Sequence, residues 1–182
     1  MGHRGASKTD WLETALSVLG KDGIGGVKVD RLAKKLGIAR SGFYWHFRDR
    51  ADFHYQLLEY WANEFTDVVV NNPEIQNGEA RERLLKIVHM VKNQGLNSHD
   101  AAVLTWAGQD TRARAVFDRV YTQRCDYLRS IFSELGFEAD DLETRTRIFV
   151  SYVSWENLLF PGVPKQKRLE WLKRQIELLT RK

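Results

Sequence analysis

Apolar side chains recur every three or four residues along most of the chain, which is the spacing that buries one face of an α-helix. The first such stripe lies between Lys8 and Lys21, and the second consists of Val29, Leu32, Ala33 and Leu36. Gly37 follows the second stripe directly, and glycine often ends helices because it adopts the left-handed conformation without a Cβ clash. A short third helix is predicted from about Ala39 to Trp45.

The same spacing predicts six more helices in the remaining part of the chain. They span about 49–70, 79–92, 99–107, 111–135, 139–159 and 165–179. Asp49 is a suitable N-cap for the first of these, and Gly136 and Pro161 mark breaks between the later ones. The sequence therefore predicts an all-α protein of nine helices without a strand.

Composition narrows the class of protein further. Hydrophobic residues make up 43% of the chain and charged residues 29%, which is typical of a globular protein. No apolar run approaches the roughly 18 residues of a spanning helix, and the polar N-terminal residues do not resemble a secretory signal. A single cysteine, Cys125, offers no intrachain disulfide. We therefore expect a cytoplasmic location and no cofactor or metal.

Positive charge is concentrated at the N-terminal end. Residues 1–50 contain ten Lys and Arg side chains against five acidic ones, whereas the remaining residues carry 18 basic and 19 acidic side chains. Such an imbalance favours a polyanionic partner, although it does not identify one.

The segment from Val29 to Phe47 has the pattern of a helix-turn-helix, because two short helices flank a tight turn at Gly37. Its apolar residues can pack on the first helix, which leaves a polar and aromatic set facing outward on the third helix. That set consists of Arg40, Ser41, Gly42, Tyr44, Trp45 and His46.

The outward residue types suit contact with double-stranded DNA. An arginine such as Arg40 can form two parallel hydrogen bonds with guanine, and Ser41 can donate or accept one. Gly42 has no side chain, so the helix can approach the groove closely. Tyr44 and His46 can donate to phosphate oxygens, while exposed aromatic residues beside cations mark an interaction surface.

The stretch VKVDRLAKKLGIARSGFYWHFRDR, residues 27–50, resembles the DNA-binding signature of TetR-like (tetracycline-repressor-type) regulators. The family pattern is roughly V-T-x-x-x-I-A-x-x-A-G-V-S-x-G-x-L-Y-x-H-F-x-[SN]-K, and the resemblance covers about residues 8–55. It implies DNA-binding roles for Lys28, Arg40, Ser41, Gly42, Tyr44, Trp45, His46 and Arg50. Lys28 and Ala39 stand where capping hydroxyl residues are common, and Ser41-Gly42 reverses the usual order.

The resemblance also implies a division of the chain into two domains. Residues 1–50 form the helix-turn-helix domain, the helix at 49–70 is a connector, and residues 51–182 form a domain for ligand binding and dimerisation. Apolar stripes on the last two helices predict a dimer interface that includes Ile148, Phe149, Tyr152, Leu159, Leu169, Leu172, Ile176 and Leu179. The alternative is that both stripes are intrachain core.

An effector site is predicted from aromatic and polarisable residues on helices that surround the centre of the second domain. The candidates are Trp61, Phe65, His89, Trp106, Phe117, Tyr121, Cys125, Tyr152 and Trp155. Aromatic walls with a few polar groups suit an amphipathic or aromatic small molecule. Aromatic residues at helical spacing, however, more often form ordinary core.

The predicted function is therefore that of a DNA-binding transcriptional regulator, a homodimeric repressor released from a palindromic operator by a small-molecule effector. An enzyme is disfavoured because the sequence lacks a phosphate-binding glycine loop, a metal-ligand cluster and a nucleophile elbow. The alternative function is a helical protein-interaction adaptor that binds an acidic partner without specific DNA binding.

Overall fold

The computed structural model describes residues 5–182, and every regular element in that range is helical. The α-helices are α1 (Lys8–Asp22), α2 (Val29–Leu36), α3 (Arg50–Ala62), α4 (Val68–Val70), α5 (Pro73–Gln76), α6 (Ala80–Gln94), α7 (Asp100–Ala107), α8 (Thr111–Glu134), α9 (Ala139–Leu159) and α10 (Lys165–Leu179). Two 3-10 helices, Ile24–Gly26 and Arg40–Trp45, lie beside α2.

The all-α prediction is confirmed, and so is its count of nine helices. A π-helical turn, Asn63–Asp67, joins α3 to α4, so the chain is helical without interruption from Arg50 to Val70. With that run taken as one helix, residues 5–182 contain nine helices of six or more residues. The third differs from its prediction in kind, because Arg40–Trp45 is a 3-10 helix and not an α-helix.

Local sequence signals explain where the first helices begin and end. Ser7 and Asp10 form a capping box at the start of α1, in which each side chain bonds the other residue's backbone. Asp49 caps α3 as predicted, since its Oδ1 accepts from the Asp52 amide at 2.8 Å. Lys28 precedes α2 without a side-chain capping bond, as its residue type implies.

The chain divides into two compact units. The first consists of the residues up to Asn63 together with His99–Phe117, and the second of Glu64–Ser98 together with Asp118–Lys182. In the first unit, α1 packs against α2, α3 and α7. Its centre is aromatic, because the rings of Trp11, Phe43, Phe47 and Phe53 are all buried and the other three each contact Phe43.

The second unit has its own hydrophobic core, contributed by α6, α8, α9 and α10. Three charged side chains are buried beside it. The Lys92 ammonium lies 2.7 Å from Glu156 Oε1, and the Arg168 guanidinium lies 3.0 Å from Glu156 Oε2. Each of these charges thereby has a partner of opposite sign, which lowers the cost of burial in a medium of low dielectric constant.

Burial corrects part of the predicted dimer interface. Phe149, Leu172, Ile176 and Leu179 are at most 8% exposed and belong to the core of the second unit. Their side chains already contact other helices of the same chain, so they do not face a partner. For these four residues the alternative, intrachain core, is the correct interpretation.

Leu169 and Tyr152 are half-buried at the edge of that core, whereas Ile148 and Leu159 are exposed.

Within residues 5–182, no helix is both long enough and apolar enough to cross a membrane.

Gly37 gives a direct test of the turn. It has φ +68° and no neighbouring atom that an added Cβ would touch, so backbone conformation alone favours glycine there. We expect Gly37→Ala to lower the free energy of unfolding by about 1–2 kcal/mol, measured by urea denaturation. Gly25→Ala is the control, because Gly25 has equally open space without a positive φ. Equal unfolding midpoints for the two variants would contradict a left-handed turn at Gly37.

Candidate DNA-binding surface

The surface is built on α2, the turn at Gly37 and the 3-10 helix Arg40–Trp45. The turn is closed by backbone bonds, because the amides of Gly37 and Ile38 donate to the Lys34 and Ala33 carbonyls at 3.3 and 3.1 Å. This αL closure ends α2 and changes the direction of the chain. The two helical segments therefore meet at a fixed angle, as a helix-turn-helix requires.

Aromatic packing on the buried side of the 3-10 helix holds this short helix in place. Phe43 is 1% exposed, and its ring lies 5.5 Å from that of Trp11 and 5.2 Å from that of Phe53. Phe47, one turn further along, contacts the same cluster. Because these rings point inward, Arg40, Tyr44 and Trp45 point to solvent.

The outward face carries the predicted contact residues. Trp45 is 87% exposed and Tyr44 57%, which is unusual for aromatic side chains. Ser41, Gly42, Trp45 and His46 line one shallow groove with Gly5, Ala6 and the turn residues 37–39. Arg40, Lys28 and Arg50 are also exposed. The fold thus brings the predicted residues of the 3-10 helix to one open surface, with Lys28 and Arg50 at the beginnings of α2 and α3.

His46 has a partner within the chain. Its Nε2 lies 2.9 Å from the Ala6 carbonyl oxygen, and the ring is half-buried. The bond requires a proton on Nε2, which donates to the carbonyl. His46 therefore ties the segment before α1 to the end of the 3-10 helix, and this nitrogen is not directed at a phosphate.

Arg40 is flanked by two side chains. Its Nη1 lies 3.3 Å from Asp30 Oδ1, across from the first turn of α2. A hydrogen bond with Tyr44 and the negative charge of Asp30 both raise the pKa of Arg40. The Arg40 side chain therefore has a carboxylate beside it although more than half of the side chain is exposed.

Gly42 is not required by the packing of the protein. An added Cβ would meet only Ile38 Cδ1 at 3.7 Å, an ordinary van der Waals distance, and the backbone φ is not positive. A small residue at a half-buried surface position that tolerates a larger one is consistent with close approach of a partner from outside.

The predicted effector residues do not form one site. Trp61, Trp106 and Phe117 belong to the first unit, where Trp61 stacks on Phe117 with ring centroids 6.1 Å apart and Trp106 contacts His54. All three are at most 6% exposed. They are core residues of that unit.

A cavity of about 60 Å³ does exist in the second unit. Most of its lining is apolar, and its polar lining residues are Thr66, Asn97, Arg124, Tyr127 and Ser154. Among the predicted effector residues, Phe65 alone lines it.

The remaining candidates lie elsewhere in the second unit. Tyr152 and Trp155 line an open groove on α9, and Trp155 stacks on Tyr121 with centroids 6.0 Å apart. His89 lines a separate polar groove, and Cys125 is half-buried with a pKa raised by burial. The aromatic criterion therefore did not locate the cavity, because most of its lining is aliphatic.

Two features of the surface were not predicted from the sequence. Asp30 beside Arg40 and Ala6 beside His46 are contacts between different structural elements, 10 and 40 residues apart in the sequence. No periodicity or motif relates these pairs, so their proximity follows only from the packing of α1, α2 and the 3-10 helix.

Known proteins share both this segment and this fold. Residues 12–53 match the family model described as bacterial regulatory proteins of the tetR family. The HTH-type transcriptional regulator AcrR of Shigella flexneri is 31% identical over 48 residues, which are 26% of this chain and 22% of that protein. The chain thus aligns with about a fifth of the length of that curated relative.

Solved structures match along nearly the whole chain. A TetR transcriptional regulator from Legionella pneumophila is 15% identical, with a TM-score of 0.77 over 97% of this chain and 98% of its own. FadR from Bacillus subtilis, solved with stearoyl-CoA, is 14% identical, with a TM-score of 0.69 over 96% and 98%. The resemblance to TetR-like regulators is therefore confirmed, by sequence in the N-terminal segment and by fold over the chain.

The variant Gly42→Ala tests whether Gly42 is needed for DNA binding and not for packing within the protein. We expect unchanged or slightly higher stability, because alanine favours helix over glycine and nothing blocks its methyl group. Affinity for the DNA site should fall by about tenfold, the size of one lost base contact, because the methyl group would occupy the space of the groove. Fluorescence anisotropy with a labelled duplex measures it. Gly25→Ala, which alters a glycine outside the helix-turn-helix, should bind like the parent protein.

Proposed function

We propose that this chain is a sequence-specific DNA-binding regulator of transcription that acts as a homodimeric repressor. The observation that carries the proposal is that two independent findings fall on the same segment. The segment that matches the tetR family model, residues 12–53, contains the 3-10 helix whose cationic and aromatic side chains are exposed. In a helix-turn-helix this second helix enters the major groove.

Affinity for DNA comes mainly from cations that surround the 3-10 helix. Lys34 and Lys35 are exposed on α2, and Arg48 and Arg50 are exposed at the start of α3. Each such cation that neutralises a phosphate releases a condensed counterion, so affinity falls steeply as salt rises. Arg40, Ser41 and Trp45 then face the base edges, where sequence is distinguished.

A second copy of the chain is proposed to bind the apolar groove on α9. Ile148, Tyr152, Trp155, Leu158 and Leu159 share this groove with Gln175 of α10, and Leu159 is 65% exposed. Trp171 and Leu178 of α10 are also exposed. A contiguous apolar patch of this kind marks a protein interface. Two copies place two reading helices about 34 Å apart, one turn of DNA, which matches a palindromic operator.

Release by a small molecule is proposed to use the cavity of the second unit. Its apolar lining and its polar groups, Thr66, Asn97, Arg124, Tyr127 and Ser154, suit a mainly apolar ligand with one or two polar atoms. At about 60 Å³ the cavity holds only a few water molecules, so a ligand must enlarge it. Because the helical run Arg50–Val70 belongs to both units, we propose that this run transmits the change.

The decisive experiment is selection of bound sequences from a randomised duplex pool, followed by anisotropy titrations at several salt concentrations. We expect enrichment of a palindrome, at least about a thousandfold preference over random duplex, and a steep loss of affinity with salt. Recovery of no preferred sequence would overturn the proposal and favour the adaptor function, in which acidic proteins replace DNA.

Leu159→Glu tests the dimer. A charge within the apolar groove has to be desolvated on association, so the variant should elute as a monomer and bind the palindrome weakly. Size-exclusion chromatography with light scattering measures the mass. Leu104→Glu is the matched control, because Leu104 is an exposed leucine of the first unit, outside the groove. A dimeric Leu159→Glu protein would place the interface elsewhere.

A further inference from the structure

Asp30 is an acidic residue on a surface rich in cations. It lies in the first turn of α2 and is 73% exposed, and its Oδ1 is 3.3 Å from Arg40 Nη1. Such a position is unfavourable for non-specific binding, because a carboxylate repels phosphates. Its presence opposite the arginine of the 3-10 helix therefore calls for a role in selectivity.

The geometry of the guanidinium explains that role. Arginine carries five N–H donors in a rigid plane, so a carboxylate that accepts from Nη1 leaves the edge formed by Nε and Nη2 available. Because Asp30 lies on α2 and Arg40 on the 3-10 helix, the ion pair joins two segments. The paired arginine samples fewer rotamers than a free surface arginine does.

We propose that Asp30 is a positioning residue for DNA reading, which orients Arg40 for bidentate contact with guanine. The inference rests on the proposed function and deepens it. Guanine presents O6 and N7 as two acceptors in the major groove, which match one edge of a guanidinium. An oriented Arg40 meets these acceptors without losing further side-chain freedom, whereas a mobile Arg40 binds any nearby phosphate.

Asp30 then affects cognate and random DNA in opposite directions. On random DNA its charge only repels, so it lowers affinity. On the cognate site the repulsion is offset by the better contact of Arg40 with guanine. The measurable consequence is the ratio of cognate to random affinity, which a purely structural role in α2 leaves unchanged.

The test is Asp30→Asn, which keeps the shape of the side chain and removes its charge. Affinities for the selected palindrome and for a random duplex are measured by anisotropy at one salt concentration. We expect tighter binding to random duplex and a specificity ratio reduced about fivefold or more. Selection with the variant should also relax the base preference at one G·C pair in each half-site.

A double-mutant cycle with Arg40→Ala assigns the effect to the pair. In the Arg40→Ala background, Asp30→Asn should no longer change the specificity ratio, because no guanidinium remains to be oriented. Additive effects would overturn the inference, since they would mean that Asp30 acts only on α2 or on the overall charge. Circular dichroism and thermal unfolding of each variant confirm that it is folded.

Asp22→Asn is the matched charge control. Asp22 pairs with Arg31, an arginine of α2 that does not belong to the 3-10 helix. This control should leave the specificity ratio unchanged. If the parent protein prefers no sequence, the proposed function fails. If the parent has a preferred sequence and Asp30→Asn keeps the same ratio, only the role of Asp30 fails.

Discussion

The contact of Phe43 with Trp11 and Phe53 is the constraint on which the rest of the DNA-binding surface depends. A six-residue 3-10 helix has too few hydrogen bonds to persist alone, because helix formation needs a costly nucleus and 3-10 bonds have poor geometry. Three buried rings with centroids about 5 Å apart supply the missing stability. They also fix the rotation of the short helix, which decides which of its residues face solvent.

The rotation of the short helix explains which side chains form its outer face. Trp45 and Tyr44 remain exposed although the neighbouring Phe43 is fully packed, so the chain leaves apolar surface in water at this point. The first unit gains nothing from this exposure, and the residues around it are predominantly cationic. A surface that combines uncovered aromatic rings, exposed cations and one carboxylate against Arg40 has the chemistry of a DNA contact.

Sequence patterns predicted local features well and contacts between distant segments poorly. The caps at Gly37 and Asp49 are properties of single residues, so they were accessible from the sequence. The ion pair of Asp30 with Arg40 depends on how two segments cross, and no spacing rule contains that information.

Amphipathic stripes predicted the helices correctly, but they did not show which surface packs against each stripe. The periodicity of α10 correctly indicates that Leu172 and Ile176 are buried, but it does not distinguish burial within the chain from burial against a partner. Conversely, Leu158 and Leu159 are exposed. They lie in the last turn of α9, where few residues of the same chain pack against the helix. The prediction of an effector site from aromatic residues failed for a related reason. Large aromatic side chains such as Trp61 and Trp106 commonly form the core, and far more positions in a protein belong to the core than to a cavity.

The second unit places its proposed functions on one helix. Phe149, Val150 and Val153 of α9 face the core and the cavity, while Ile148, Tyr152 and Trp155 line the outer groove. The buried Glu156, held between Lys92 and Arg168, fixes the last turn of that helix against α6 and α10. Because interiors are close-packed, a ligand that enlarges the cavity has to displace surrounding helices, and α9 is one of them. A displacement of α9 also moves the outer groove, so the proposed ligand cavity and the proposed dimer surface share this one helix.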